Sequence, residues 1–341
     1  MQWQENIGYC RARVFDAATE QQNQESPIKN RGAGLVLPIN CYIRIMIRLS
    51  LIIPTHNRAE QLVAALRSVV RQTLDPAVWE CVVVDNASTD DTAACFAAFA
   101  AEHPGFGLRM VHEPEAGVSH ARNRGLREAR AELTAWIDDD ERINEGFLAA
   151  YLAFFDEHPE ATVAGGRIIA EYVTGRPRWM SKFTEMPVAN PMDFGPAVRT
   201  FPRGRVPGGG NMALRRSVAL AYGGFDATLG RVGRELIGGE ENDLFERLVR
   251  GGETIWYVPD AVMWHIIPPE KLTESYFRRL CYNVGRSQRL RAVIHRRRWK
   301  SGFLEVLKWG ATLLLCLTLR PVQARWLLRM RWQITCGLFG K

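Results

Sequence analysis

Paired cysteine motifs are missing from this chain of 341 residues. Its seven cysteines (Cys10, Cys41, Cys81, Cys95, Cys281, Cys316 and Cys336) are odd in number and never fall as CxxC. Zinc-finger and disulfide-scaffold readings need that pairing and drop out. Cys81 and Cys95 lie in apolar runs, as buried thiols do, and a reducing cytoplasm suits the set. No stretch repeats at a fixed period, which removes solenoids. The 29 glycines and 17 prolines are scattered, so collagen-like and low-complexity classes fail too. The opening residues MQWQENIGYC lack the basic-then-apolar order of a secretory signal. A membrane span needs about 20 mainly apolar residues. The best candidate, 302–319, is broken by Glu305 and Lys308.

What is present is an ordinary globular composition, 47% hydrophobic and 24% charged, with length for about two domains. The net charge of +7 is unevenly spread. Residues 271–341 hold 16 Lys and Arg against only Glu274 and Glu305, leaving 28 basic and 35 acidic residues in the rest. A mildly acidic body with a basic end is not the even coat of a nucleic-acid binder. It implies a catalytic body whose C-terminal end faces something anionic.

Residues 1–45 read as a disordered extension, since 20–30 (EQQNQESPIKN) is polar and aperiodic, and Met46 reads as the natural start. Apolar strands then alternate with helical periods. Strands are expected at 49–54, 80–85, 108–112 and 133–137, and helices at 59–72, 92–101, 117–130 and 144–157. This alternation predicts an α/β fold with a mostly parallel sheet covered by helices. Ligands of such sheets collect at the C-terminal strand ends. There the sequence places Thr55, His56, Asn57 and Arg58, then Asp85 and Asn86, then Asp138, Asp139 and Asp140. Residues 160–205 read as loop with some strand, and a further strand is expected at 254–258.

Three adjacent carboxylates repel unless a cation or donors compensate them. Alternate residues of extended chain point the same way, so Asp138 and Asp140 can converge while Asp139 points elsewhere. Such hard oxygens suit Mg²⁺ or Mn²⁺ shared with substrate phosphates, although an acidic turn capping the next helix has the same spelling. His265, a lone histidine after an apolar strand, is either a satisfied buried side chain or a third ligand. Asp85 can accept from a base or ribose, and Asn57 and Arg58 can orient base or phosphates. Glu240 and Glu241 open a helix after Gly238-Gly239. The helix dipole favours acids there, and one of them can instead serve as a general base. The glycine-rich 207–211 matches neither dinucleotide nor P-loop spacing. It reads as a turn, or as a loop (Gly209, Gly210, Asn211) closing over a sugar.

These pieces together resemble the family 2 glycosyltransferases of GT-A fold. The motifs are Pro54 to Arg58, Val84 to Asp90, Gly117 to Gly125 (GVSHARNRG), Ile137 to Asp140, Gly208 to Arg215, Gly223 to Asp226 and Gly238 to Leu244, in the family's order across about 48–265. The resemblance implies a Rossmann-like GT-A domain over 46–268 and transfer of a sugar from a nucleoside-diphosphate donor with inversion. It puts Thr55, Asn57 and Asp85 around the nucleoside, and makes Asp138 and Asp140 the DxD element. It names Glu241 as base, with Glu240 in contention because the family usually reads Glu-Asp there. It also likens His265 to a metal-binding histidine of some members.

Residues 269–341 read as a basic helical appendage lying on the inner face of the cell membrane. A basic helical pair packed on the body is the plainer alternative. The combined expectation is a glycosyltransferase using a nucleotide-sugar, a divalent ion, a lipid-linked or glycan acceptor and an anionic membrane surface, without nucleic acid. A nucleotidyltransferase of related fold and a non-catalytic glycan- or nucleotide-binding module are the competing readings.

Overall fold

A computed structural model describes residues 46–233 and 236–340. The expected extension 1–45 lies outside the described residues. Strand β1 (Leu49–Thr55) and strand β2 (Trp79–Asp85) are buried along their whole length, as central parallel strands with helices on both sides must be. Helix α1 (Ala59–Val69) lies between them in sequence, followed after β2 by α2 (Thr92–Glu102), β3 (Leu108–His112), α3 (Val118–Glu128) and β4 (Leu133–Trp136). The first four strands are parallel, in the order β3-β2-β1-β4. Val83, Val84, Leu62, Leu66, Leu126 and Trp136 are among the side chains sealing the core between this sheet and its helices.

Beyond β4 the sheet becomes mixed. The chain continues through β5 (Glu141–Ile143), α4 (Phe147–Glu157), β6 (Val163–Tyr172), α5 (Lys182–Ala189), β7 (Arg199–Thr200), β8 (Met212–Arg215), α6 (Arg216–Ala221), α7 (Glu240–Arg250) and β9 (Ile255–Ile267). The order runs on as β4-β8-β6-β9-β5, with β8 antiparallel to its neighbours and β7 pairing β9. Only residues 137–140 carry the chain from β4, mid-sheet, to β5, at the end of that order.

Two departures from the sequence reading have physical causes. Residues 160–205 are loop with some strand, as expected, but the strand is ten residues long and a helix, α5, joins it. Gly165 and Gly166 disguise the strand, yet they are there for packing: a Cβ on Gly166 would stand 2.1 Å from the Ala261 carbonyl. The expected short strand at 254–258 is the first part of β9, which continues to Ile267 through a register shift against β6. That continuation delivers His265 to the sheet's far edge, opposite Glu141 of β5.

A 3₁₀ turn (Pro269–Leu272) leads to α8 (Glu274–Ile294), α9 (Arg298–Cys316) and α10 (Pro321–Phe339). Helices α8 and α10 cross at bare backbone. A Cβ on Gly285 would meet the Ile334 carbonyl at 2.1 Å, and one on Gly337 the Tyr282 carbonyl at 2.0 Å. Phe277, Leu280, Leu327, Met330 and Ile334 form a second apolar cluster with Met180, Val188 and Ile267. The basic appendage is therefore packed on the body through α8 and α10. Among the described residues, no helix is long and apolar enough to cross a membrane.

Candidate active site

A cleft of about 580 Å³ opens over the C-terminal ends of the parallel strands. Thr55, Arg58, Asn86, Asp138, Asp139, Asp140 and His265 line it together with Glu240 and Glu241. The two acidic runs, a hundred residues apart in sequence, thus face one space.

Asp138 and Asp140 come together, joined by Glu141, with one oxygen of each within 4.8 Å of the others. Glu141 is absent from the sequence reading. It begins β5, and its carboxylate accepts from the Asp138 N–H at 2.7 Å. Burial, followed by the charges of Asp138 and Asp140, raises its carboxyl well above the usual range. Asp139 turns away, taking the Thr55 hydroxyl at 2.9 Å and Arg58 Nη1 at 2.8 Å. Burial pushes it up to about 6 despite Arg58. Asp140 accepts from Lys271 Nζ at 2.6 Å and Arg58 Nη1 at 3.2 Å. Burial works against its ionisation, but Lys271, His265 and Arg58 hold it well below the usual carboxylate range.

His265 Nδ1 lies 3.2 Å from the Ala189 carbonyl, which makes that nitrogen the N–H and leaves Nε2 a lone pair beside Lys271 Nζ at 3.4 Å. Burial lowers its pKa, favouring the neutral ring. The hard oxygens of Asp138, Asp140 and Glu141 are a donor set that fits Mg²⁺ or Mn²⁺, while His265 stands outside that group with its Nε2 towards the Lys271 ammonium. Lys271, also unforeseen from sequence, supplies a cation to Asp140.

At the far wall Glu240 is buried and Glu241 half-buried. Gly239 caps α7 with φ +99°, a left-handed value that favours glycine. Arg122 of α3, buried at 3% exposure, bonds Glu240 Oε1 with Nη1 and Asp138 Oδ1 with Nη2 at 3.1 Å. Burial, then the neighbouring Glu241, pushes Glu240 up to about 7. Glu240 Oε2 is buried without a hydrogen-bond partner. Glu241 Oε1 accepts from Asn242 Nδ2 at 2.6 Å. The sequence reading quoted the motif containing Arg122 without singling it out. Its sign is a long cation on a helix that begins at a glycine beside the strand ends.

Other expected residues are occupied elsewhere. Asn57, at φ +52°, accepts from the Thr89 and Asp90 N–H groups at 2.7 and 3.2 Å. Asp85 is buried and accepts the Ser88 N–H at 3.1 Å. Neither is among the residues lining the cleft. Asn86 lines it, but its amide ties Glu113, Glu115 and Gly117 backbone together. The expected flexible loop over a sugar is corrected here: Asn211 is fully buried, taking the Tyr151 hydroxyl at 2.6 Å and donating to the Arg167 and Ala261 carbonyls. Gly209 and Gly210 lack side chains because neighbours fill that space. A Cβ would sit 2.5 Å from the Arg122 guanidinium at one and 2.0 Å from the Glu141 carboxylate at the other. This segment is a packed floor of the cleft.

The chain is 26% identical over 234 residues to the succinoglycan biosynthesis protein ExoM of Rhizobium meliloti, covering 67% of this chain and 71% of that one. It is 23% identical over 227 residues to the glucosyl-dolichyl phosphate glucuronosyltransferase of Haloferax volcanii, covering 64% and 69%. Its structure is similar to that of the mannosyltransferase PcManGT from Pyrobaculum calidifontis in complex with GDP-Man and Mn²⁺, with a TM-score of 0.57 and 20% identity over 87% of this chain and 88% of that one. The profile of the family described as "Glycosyl transferase family 2" matches residues 50–223, half of the chain. The chain therefore belongs to the family 2 glycosyltransferases, with a GT-A fold.

Proposed function

We propose that the protein transfers a sugar, with inversion and with a divalent ion, from a nucleoside-diphosphate donor to a hydroxyl of a lipid-linked or glycan acceptor. We place this activity in cell-surface polysaccharide synthesis at the inner face of the cell membrane. One observation carries the reading: Asp138, Asp140 and Glu141 stand across a single cleft from Glu240 and Glu241, with Arg122 between them. The solved relative bound to GDP-Man and Mn²⁺ supports a nucleotide-sugar and a metal. The Rhizobium and Haloferax relatives, by their names, support a polysaccharide or lipid-phosphate setting.

In this reading Asp138, Asp140 and Glu141 hold Mg²⁺ or Mn²⁺, with His265 beside Asp140. An ion held there would supply charge neutralisation for the departing diphosphate. Arg58 and Lys271 lie beside Asp140 and steady the phosphates. Thr55, Asp139 and the ends of β1 and β2, Asn86 included, frame the nucleoside. The base is Glu241, not Glu240. Glu240 has one oxygen committed to Arg122 and is buried, whereas Glu241 reaches the cleft with its carboxylate oriented by Asn242. Direct displacement needs one such carboxylate on the face opposite the leaving group.

The test is a panel of nucleotide-sugars screened by thermal shift and donor hydrolysis, with and without Mn²⁺. Stabilisation by one donor, increased by Mn²⁺, is the expected result. Indifference to every donor would remove the proposal.

A further inference from the structure

We propose that the outward face of α9 docks the protein onto an anionic lipid bilayer, lying along the interface without crossing it. This deepens the membrane part of the reading above and rests on it.

The amphipathicity of α9 is inverted. Among the described residues its two fully buried side chains are polar, Glu305 and Thr312, with Leu315 and Cys316 partly buried against the second cluster at its C-terminal end. Glu305 is held by Thr335 Oγ1 at 2.7 Å and Arg331 Nη1 at 3.3 Å, and Trp309 Nε1 donates to Thr335 Oγ1 at 2.9 Å. The charge that breaks the apolar run in the sequence is thus the helix's anchor to α10. Its opposite side presents Trp299, Phe303, Val306, Leu307, Leu314 and Leu317 at helical spacing, with Trp299 95% and Leu317 83% exposed. Surface helices in water turn their apolar stripe inward. This one does the reverse, which suits an apolar exterior.

Charge identifies the occupant. Arg296, Arg298 and Lys300 stand at one end of α9, and Arg320 and Arg325 at the other. All are exposed and none has a carboxylate partner among the described residues. A second copy packed on this stripe, parallel or antiparallel, would set cations against cations. An anionic bilayer instead meets both ends with opposite charge while the apolar stripe sinks to the acyl boundary. Beside α9, a groove of about 420 Å³ is lined by Arg278, Trp309 and Trp332 and by Arg329 paired with Glu274, and its indoles suit headgroup depth.

The experiment uses the full chain with vesicles of phosphatidylcholine alone, or with roughly one-third phosphatidylglycerol. Wild type is expected to bind the anionic vesicles at least about tenfold more tightly, with a blue shift in tryptophan emission. The Phe303→Gln, Leu307→Gln, Leu314→Gln triple variant should lose at least about tenfold in vesicle affinity while keeping the thermal shift given by nucleotide-sugar. A second variant, Arg296→Gln with Arg298→Gln and Lys300→Gln, should lose affinity only for anionic vesicles. If wild type binds and the triple variant binds equally, the α9 proposal falls and the membrane reading stands. If wild type ignores both vesicle types, both fall. A dimer that the triple variant dissociates would hand the face to a second copy and overturn the proposal.

Discussion

Arg122 and Glu240 form a buried ion pair that joins α3 to the first turn of α7, and the same guanidinium reaches Asp138 at 3.1 Å. Three stretches of chain thus meet on one side chain. Removing one partner of a buried pair leaves an uncompensated charge, which costs about 3–5 kcal/mol. Arg122→Met should lower stability by that order, measured by denaturant unfolding. Adding Glu240→Gln to it should recover part of the loss, because the orphaned carboxylate disappears.

The division of labour between the two glutamates is separable by kinetics. Glu241→Gln should lower kcat at least about a hundredfold while leaving donor KM within a few-fold, as loss of a general base does. Asp140→Ala should fall at least as far and also lose the response to Mn²⁺. If the Glu241→Gln enzyme transfers sugar at the wild-type rate, the base is elsewhere.

Glu240 also gives a pH signature. Its carboxyl titrates near 4.5 in an unfolded chain and is pushed up to about 7 in the fold. Between those values the folded state holds the proton that the unfolded state has released, so stability falls as pH rises through that window. Glu240→Gln cannot titrate. The Tm of the variant minus that of wild type should therefore grow from about pH 5 to about pH 8, and a flat difference would contradict the assignment.

A steric test addresses the floor of the cleft. Gly210→Ala puts a methyl 2.0 Å from the Glu141 carboxylate and must move it. Displacing a carboxylate proposed to hold the metal should cost at least about the ten- to a hundredfold in metal affinity that loss of a ligand-orienting group costs, which Mn²⁺ titration of turnover would read. Gly105→Ala, where a Cβ meets nothing within 4 Å, is the control and should leave Mn²⁺ dependence unchanged.

The parallel half of the sheet and the acidic strand end were legible because buried strands are written as continuous apolar runs, so a polar cluster after one of them stands out. Glu141 was not. It reads as the next residue of an acidic turn, and only the pairing of β5 with β9 sets it opposite His265. Arg122 and Lys271 were hidden for the opposite reason, since a cation on a helix or turn ordinarily faces solvent. Their burial depends on carboxylates that arrive from distant segments. Asn211 misled because a glycine-rich run hides tight packing as readily as mobility. In α9 the sequence showed that Glu305 breaks the apolar run, and the structure adds that this residue is on the side that faces the protein.

The short passage from β4 to β5 has a consequence for the tolerance of this enzyme to change. Residues 137–140 lead from β4, mid-sheet, to its last strand β5 through a turn at 139–140. Loops commonly accept insertions and deletions, but this one turns at 139–140 and is pinned at Ile137, Asp138 and Asp140 by hydrogen bonds to Ile52, Glu141 and Ile266. Shortening it by one residue would pull β5 out of register, and lengthening it would let the carboxylates slacken apart.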